Sequence, residues 1–265
     1  RKEGGAARKA WFLGSEGWVC LGAGISAERE ERVTTSINQC RLASDVLLLR
    51  NGVASPLTGS ETALDDLQAV YHDGVGYYLL GSHQGTVRAV AQNGTWSGIE
   101  ERSPRTEAGT EEVLSLWIDH GSRPQEAAYA YAILPGIDLD RFAALEDDIP
   151  VRVLSNSAGL QAVSWTEGQM VQAAFYEPGI LNVGEDVSLH VDAPCLLMIR
   201  FNEDDCTLSV SDPTQELNRT HLLFDGDFAG EGCVYRQTEG KTVIAIDLPR
   251  GGNAGETIDV KLLRR

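Results

Sequence analysis

The run Leu116-Trp117-Ile118-Asp119-His120-Gly121, then Arg123-Pro124, then Tyr129-Ala130-Tyr131-Ala132-Ile133-Leu134-Pro135-Gly136 leaves room for little but two β-strands. Apolar and polar side chains alternate, which sends them to opposite faces of a pleated strand. A polar turn marked by Gly and Pro separates the two runs. The same period recurs along the whole chain. It predicts strands over 9–13, 17–22, 33–39, 45–50, 69–72, 75–80, 85–93, 111–120 and 127–134. Asn51-Gly52, Asp73-Gly74 and Asn93-Gly94 suit the positive backbone angles of tight hairpins. Tyr71-His72-Asp73-Gly74-Val75-Gly76-Tyr77-Tyr78 is the clearest such hairpin.

A short helix is predicted over 139–145, capped by Asp138, and the acidic, Pro-ended segment after it places a domain boundary around residue 153. Shorter strands then follow at 161–164, 170–175, 187–191, 195–200, 207–211, 221–224, 233–237, 241–247 and 256–263. Short antiparallel strands at this spacing fit a small β-sandwich. The fold class is therefore all-β, with very little helix and no internal repeat.

Charge narrows the partners. With 22 Lys and Arg against 39 Asp and Glu the net charge is -17, which argues against nucleic acid and anionic membrane. An acidic polysaccharide would also be repelled unless cations are supplied locally or by another chain. No apolar stretch is long enough to span a bilayer. The five cysteines show neither a C-x-x-C pair nor zinc spacing with the histidines. The amino-terminal arm, Arg1 to Lys9, has no signal-peptide character and reads as the middle of a longer polypeptide cut in a loop.

The residues that invite chemistry have plainer structural readings. Asp119 and His120 are adjacent, so a strand points them to opposite faces, and they read as a hairpin lip; an independent hydrolase would need a cleft there. His72 and Asp73 read as a hairpin corner, and His83, His190 and His221 as isolated. Asp65-Asp66, Asp147-Asp148, Glu203-Asp204-Asp205 and Asp225-Gly226-Asp227 lack the spacing of a calcium loop, so no metal is expected. Gly22-Ala23-Gly24 lacks the full dinucleotide fingerprint, no G-x-S-x-G elbow occurs, and no cofactor is expected. Trp11, Trp18 and Trp117 lie in strand patterns and read as core. Trp96, in the polar turn-like Asn93-Gly94-Thr95-Trp96-Ser97-Gly98, is the candidate substrate-binding residue because its ring can stack on a sugar face.

Taken together, these motifs resemble the bacterial polysaccharide lyases that act on hyaluronate, chondroitin and xanthan. The likeness runs through Lys9-Ala10-Trp11-Phe12, Val19-Cys20-Leu21-Gly22-Ala23-Gly24-Ile25 and Val33-Thr34-Thr35-Ser36-Ile37-Asn38-Gln39. It continues through Tyr71 to Tyr78, Gly94-Thr95-Trp96-Ser97-Gly98-Ile99, Leu116 to Gly121, Pro194-Cys195-Leu196-Leu197 and Leu208-Ser209-Val210-Ser211-Asp212-Pro213-Thr214. The resemblance implies the later part of a large antiparallel β-sandwich domain at 1–153, followed by a small C-terminal antiparallel β-sandwich at 154–265. It also implies β-elimination of a uronic-acid-containing polysaccharide by a secreted or periplasmic two-chain enzyme. The family's catalytic Asn, His, Tyr and Arg sit on a helical toroid, and its further Glu and Asn precede the region resembled here. No catalytic residue is therefore assigned to this chain, and its partners would be an upstream N-terminal helical toroid polypeptide and the acidic polysaccharide. The alternative is a stand-alone carbohydrate-binding or structural β-sandwich protein.

Overall fold

The computed structural model describes residues 4–100, 107–145, 149–166, 169–184 and 187–265. The chain divides into two units: 1–6 with 25–148, and 7–24 with 149–265. The strands are β1 (Gly5–Leu13), β2 (Trp18–Ala27), β3 (Arg32–Arg41), β4 (Leu47–Arg50), β5 (Val53–Pro56), β6 (Glu61–Ala63), β7 (Ala69–His72), β8 (Val75–Leu79) and β9 (Gly85–Gly94). A one-turn helix α1 (Trp96–Ile99) precedes β10 (Gly109–Ser122) and β11 (Ala127–Pro135), and α2 (Leu139–Ala144) ends the first unit. As the sequence predicts, α2 is capped by Asp138, whose carboxylate accepts the Arg141 amide at 2.8 Å. Its Phe142 is fully buried, with the Tyr78 ring centroid 5.6 Å away.

In the first unit β11, β8, β7, β4 and β5 lie side by side in that order, and β3, β10, β9 and β6 form the other sheet. Strand β10 is antiparallel to both β3 and β9. Its Leu114, Leu116 and Ile118 are buried, with Val87 of β9 and Tyr77 and Tyr78 of β8 also in the core. The register slips between Leu116 and Trp117, where Asn38 is the partner of Leu116 and Ser36 that of Trp117, so Ile37 is an unpaired extra residue. This bulge returns Ser36 and Thr34 to the polar face after Asn38 has turned inward to Tyr77. Asn51 and Gly52 (φ 48° and 72°) and Asp73 and Gly74 (φ 49° and 76°) adopt the left-handed backbone their sequences suit. Asn93-Gly94 does not: both residues pair with Thr110 and Gly109 inside the β9–β10 ladder, so this dipeptide extends a strand instead of turning.

The second unit adds β12 (Val151–Asn156), β13 (Leu160–Trp165), β14 (Met170–Phe175), β15 (Gly179–Asn182), β16 (Ser188–Val191), β17 (Cys195–Phe201), β18 (Asp205–Ser211), β19 (Arg219–Asp225), β20 (Phe228–Ala229), β21 (Cys233–Arg236), β22 (Lys241–Asp247) and β23 (Ile258–Arg264). One sheet runs β12-β13-β14-β17-β18-β23-β20 and the other β15-β16-β19-β22-β21. Their facing side chains, among them Val171, Phe175, Leu189, Ile199, Leu208, Leu222, Phe224 and Ile244, make one apolar core.

Residues 7–24 cover the other face of β13 and β14 through backbone carbonyls. The amide of Gln161, completely buried, donates to Asn156 Oδ1 at 2.9 Å, and Gln172 donates to the Leu13 carbonyl at 3.2 Å. Tyr176 donates to the Lys9 carbonyl and Asn156 to that of Gly22, both at 3.2 Å. These pairings explain how amide side chains are tolerated away from water.

A test follows from the crossing of β9 and β10. A Cβ on Gly85 would lie 2.1 Å from the Trp117 carbonyl oxygen, a backbone atom that cannot step aside. Gly85→Ala should destabilise the first unit by about 3 kcal/mol or more; a urea midpoint unchanged from wild type would contradict this packing.

Candidate functional site

The face of β10 opposite the core carries Glu111, Ser115, Trp117 and Asp119; β3 adds Arg32, Thr34, Ser36, Gln39 and Arg41, and β9 adds Thr86, Arg88 and Gln92. A groove of about 370 Å³ crosses this face, lined by Thr34, Ser36, Asn38, Gln39, Arg88, Ser115, Leu116 and Trp117. On the same face Gln39 donates to Gln92 Oε1 at 3.5 Å and Gln92 to Ser115 Oγ at 3.4 Å. The Arg88 guanidinium carbon lies 5.3 Å from the centroid of the Trp117 ring, close enough for a cation–π contact. Trp117 is therefore only half-buried and sits under a cation, where its strand pattern read as core. Trp11, also expected in the core, is 60% exposed, while Trp165 is buried.

Asp119 and His120 separate as alternation requires. Asp119 pairs with Arg32 and accepts the Gly121 amide at 2.8 Å. His120, on the core side, has its Nε2 2.8 Å from the Thr35 hydroxyl. The pair forms no acid/base couple.

His72 is buried at its hairpin corner, as the turn reading of His72-Asp73 allows. Its Nε2 accepts the Ala43 amide at 3.1 Å, which puts the ring proton on Nδ1, facing Cys40 Sγ at 3.7 Å. The thiol is then an acceptor, and burial raises its pKa, so this Cys–His contact creates no thiolate nucleophile. Asn38 completes the cluster, donating to the Tyr77 hydroxyl at 2.6 Å.

One Asp–His pair escapes sequence reasoning because its members stand 29 residues apart: Asp192 Oδ2 lies 2.9 Å from His221 Nδ1. Burial pushes the Asp192 carboxyl up, but hydrogen bonds from the His221 amide, the Thr220 hydroxyl and the His221 ring outweigh it and hold the group below its ordinary value. No nucleophile among the described residues bonds to the ring. Nearby Cys195 is buried in the core, its thiol pushed up to about 12.

Trp96, the substrate-binding candidate, is 59% exposed at the start of α1, where Thr95 Oγ1 accepts the Gly98 amide at 3.2 Å. It stands beyond the end of the same β9–β10 ribbon that carries Arg88, about 20 Å further along at the usual rise per residue. The acidic clusters stay apart: among the described residues no group of His, Cys, Asp and Glu has metal-binding geometry, and Asp147-Asp148 lies outside those residues. No helix among them is long and apolar enough to cross a membrane.

Fold and surface thus define a β-sandwich scaffold with a polar, arginine-bearing sheet face and no assembled catalytic triad or metal centre among its described residues. The polysaccharide lyase family 8 super-sandwich domain matches residues 3–146, and the family's C-terminal beta-sandwich domain matches residues 152–220. The chain belongs to polysaccharide lyase family 8. It is 32% identical over 256 residues to a chondroitinase-AC of Pedobacter heparinus, covering 96% of this chain and 35% of that protein. A hyaluronate lyase of Thermasporomyces composti is 31% identical over 215 residues, 79% of this chain and 27% of that protein. A solved chondroitinase AC lyase, studied as oligosaccharide complexes, superposes with a TM-score of 0.84 at 30% identity over 98% of this chain and 37% of that one. The chain thus spans about a third or less of the length of these relatives.

Burial lowers the pKa of His72. A group whose folded value lies below its unfolded value of about 6.5 contributes stability that is present above that pH and is lost as pH falls towards the folded value. Wild-type urea stability should fall between roughly pH 7 and 5, and His72→Gln should flatten that slope. Equal slopes in the two proteins would exclude the buried neutral imidazole as its source.

Proposed function

We propose that this chain is the β portion of a polysaccharide lyase that cleaves a uronic-acid-containing polysaccharide by β-elimination, with the catalytic residues on an upstream α/α-toroid polypeptide. The observation that carries this reading is the succession of two family 8 β-domains along the chain. On this reading 1–153 is the later part of the central domain and 154–265 the C-terminal sandwich. Relatives named for chondroitin and hyaluronate support an acidic substrate, and a secreted or periplasmic location follows from the size of such polymers.

Elimination needs a base for the proton alpha to the uronate carboxylate, an acid for the leaving oxygen, and donors at the carboxylate as charge develops there. Of the chain's five histidines, His72 is committed to a backbone amide, His83 to the Ala130 carbonyl, His120 to Thr35 and His221 to Asp192, while His190 is exposed on β16. The chain's part is to support the catalytic polypeptide and to form one wall of its cleft, where the exposed Trp96 ring stacks on a sugar.

The test is release of unsaturated uronate, followed by ultraviolet absorbance, from chondroitin, hyaluronate and xanthan. This chain alone should release none; with the upstream helical polypeptide it should. Activity from the chain alone would overturn the assignment of catalysis upstream. In the assembled enzyme Trp96→Ala should raise KM roughly fivefold, the loss of about 1 kcal/mol of stacking, with little change in kcat. An unchanged KM would remove Trp96 from the wall.

A further inference from the structure

On the face built by β3, β10 and β9 three arginines are placed alike by alternation and treated differently by their neighbours. At one end Arg32 pairs with Asp119. At the other Arg41 grips Glu111 through Nη2 and Nε, at 2.7 and 3.1 Å. Arg88, between them, has no carboxylate. Its Nε–H is buried without a hydrogen-bond partner, and Glu61, its cross-strand neighbour on β6, forms no ion pair with it.

The surroundings are ordered for a ligand. Trp117 holds the guanidinium in place, and the residues lining the groove are hydroxyls, amides and Leu116, with no carboxylate among them. Guanidinium donors with neutral hydroxyl and amide groups are the chemistry that recognises an oxyanion set among sugar hydroxyls. Nε itself is closed to solvent, so it is the terminal guanidinium nitrogens, which also have no hydrogen-bond partner among the described residues, that an incoming oxygen would meet.

We propose that Arg88, seated on Trp117, binds the carboxylate of a uronic acid residue in this groove, so that the sheet face is a non-catalytic subsite for the acidic polysaccharide. The inference rests on the proposed function for its substrate class. It also supplies the local cation without which a chain of this charge would repel such a polymer.

The test is calorimetric titration of the full chain with an unsulfated chondroitin hexasaccharide, its carboxyl-reduced counterpart and a sulfated chondroitin hexasaccharide. The unsulfated acid should bind, and Arg88→Gln should weaken it about tenfold or more. The carboxyl-reduced sugar should bind wild type no better than the acid binds the variant. Binding confined to the sulfated form would overturn the carboxylate assignment, even if that binding were lost in Arg88→Gln. Equal binding of the acid by wild type and variant, equal binding of the reduced sugar, or no binding by wild type would each overturn the proposal. Should Arg88→Gln fail to fold, the Nε–H resonance of Arg88 in the wild-type chain decides: it shifts on addition of the acid if the site is real and stays fixed if not. Failure here, with unsaturated uronate still released by the assembled enzyme, sinks the subsite alone; no release by the assembled enzyme sinks the proposed function.

Discussion

The register of strand Gly109–Ser122 between its two neighbours governs the first unit. Its even residues Leu114, Leu116 and Ile118 go to the core, and its odd residues Ser115, Trp117 and Asp119 to the opposite face. A slip of one residue would bury Asp119 and expose Ile118, so the apolar period holds the pairing firmly. The bulge at Ile37 matters for the same reason, because it returns Ser36 and Thr34 to the polar face after Asn38 has pointed inward to Tyr77. The arginine series, the amide relay and the groove are all consequences of that register.

The second unit solves a different problem. Its core is apolar between two sheets, but one outer face carries Gln161, Gln172 and Asn156, which are tied to backbone carbonyls of residues 7–24. Polar side chains there form a fitted seam, which explains why a segment near one end of the chain is grouped with strands that begin at residue 151. Gly14 belongs to the seam as well: a Cβ on it would meet the Trp165 ring at 2.7 Å.

Much of this architecture was legible in the residues. Alternation located most strands, and Asp73-Gly74 and Asn51-Gly52 located hairpins because their sequences tolerate positive φ. Asp138 marked its helix through its capping carboxylate. Short strands such as Glu61–Ala63 and Phe228–Ala229 carry no local period and are strands only because a partner backbone lies beside them. Asn93-Gly94 misled for the converse reason, since a turn sequence was drawn into a ladder that continues to Gly109. Trp117 misled because an aromatic in a strand pattern does not announce its face, and a bulge on the neighbouring strand helps to define the groove beside it. The Asp192–His221 pair was invisible because only the fold spans the interval between them.

By itself the sequence determined an all-β chain and the faces of its strands, because side-chain alternation is a local property of extended backbone. It also determined the acidic balance and the ordered motifs that mark the lyase family. Only the tertiary structure decided which charges are satisfied. Arg32, Arg41 and Arg88 are alike as residues, yet two meet carboxylates across strands and one does not. Ion pairing depends on distances set by register and bulge between segments far apart in the chain, and those distances exist only once the sheets have formed.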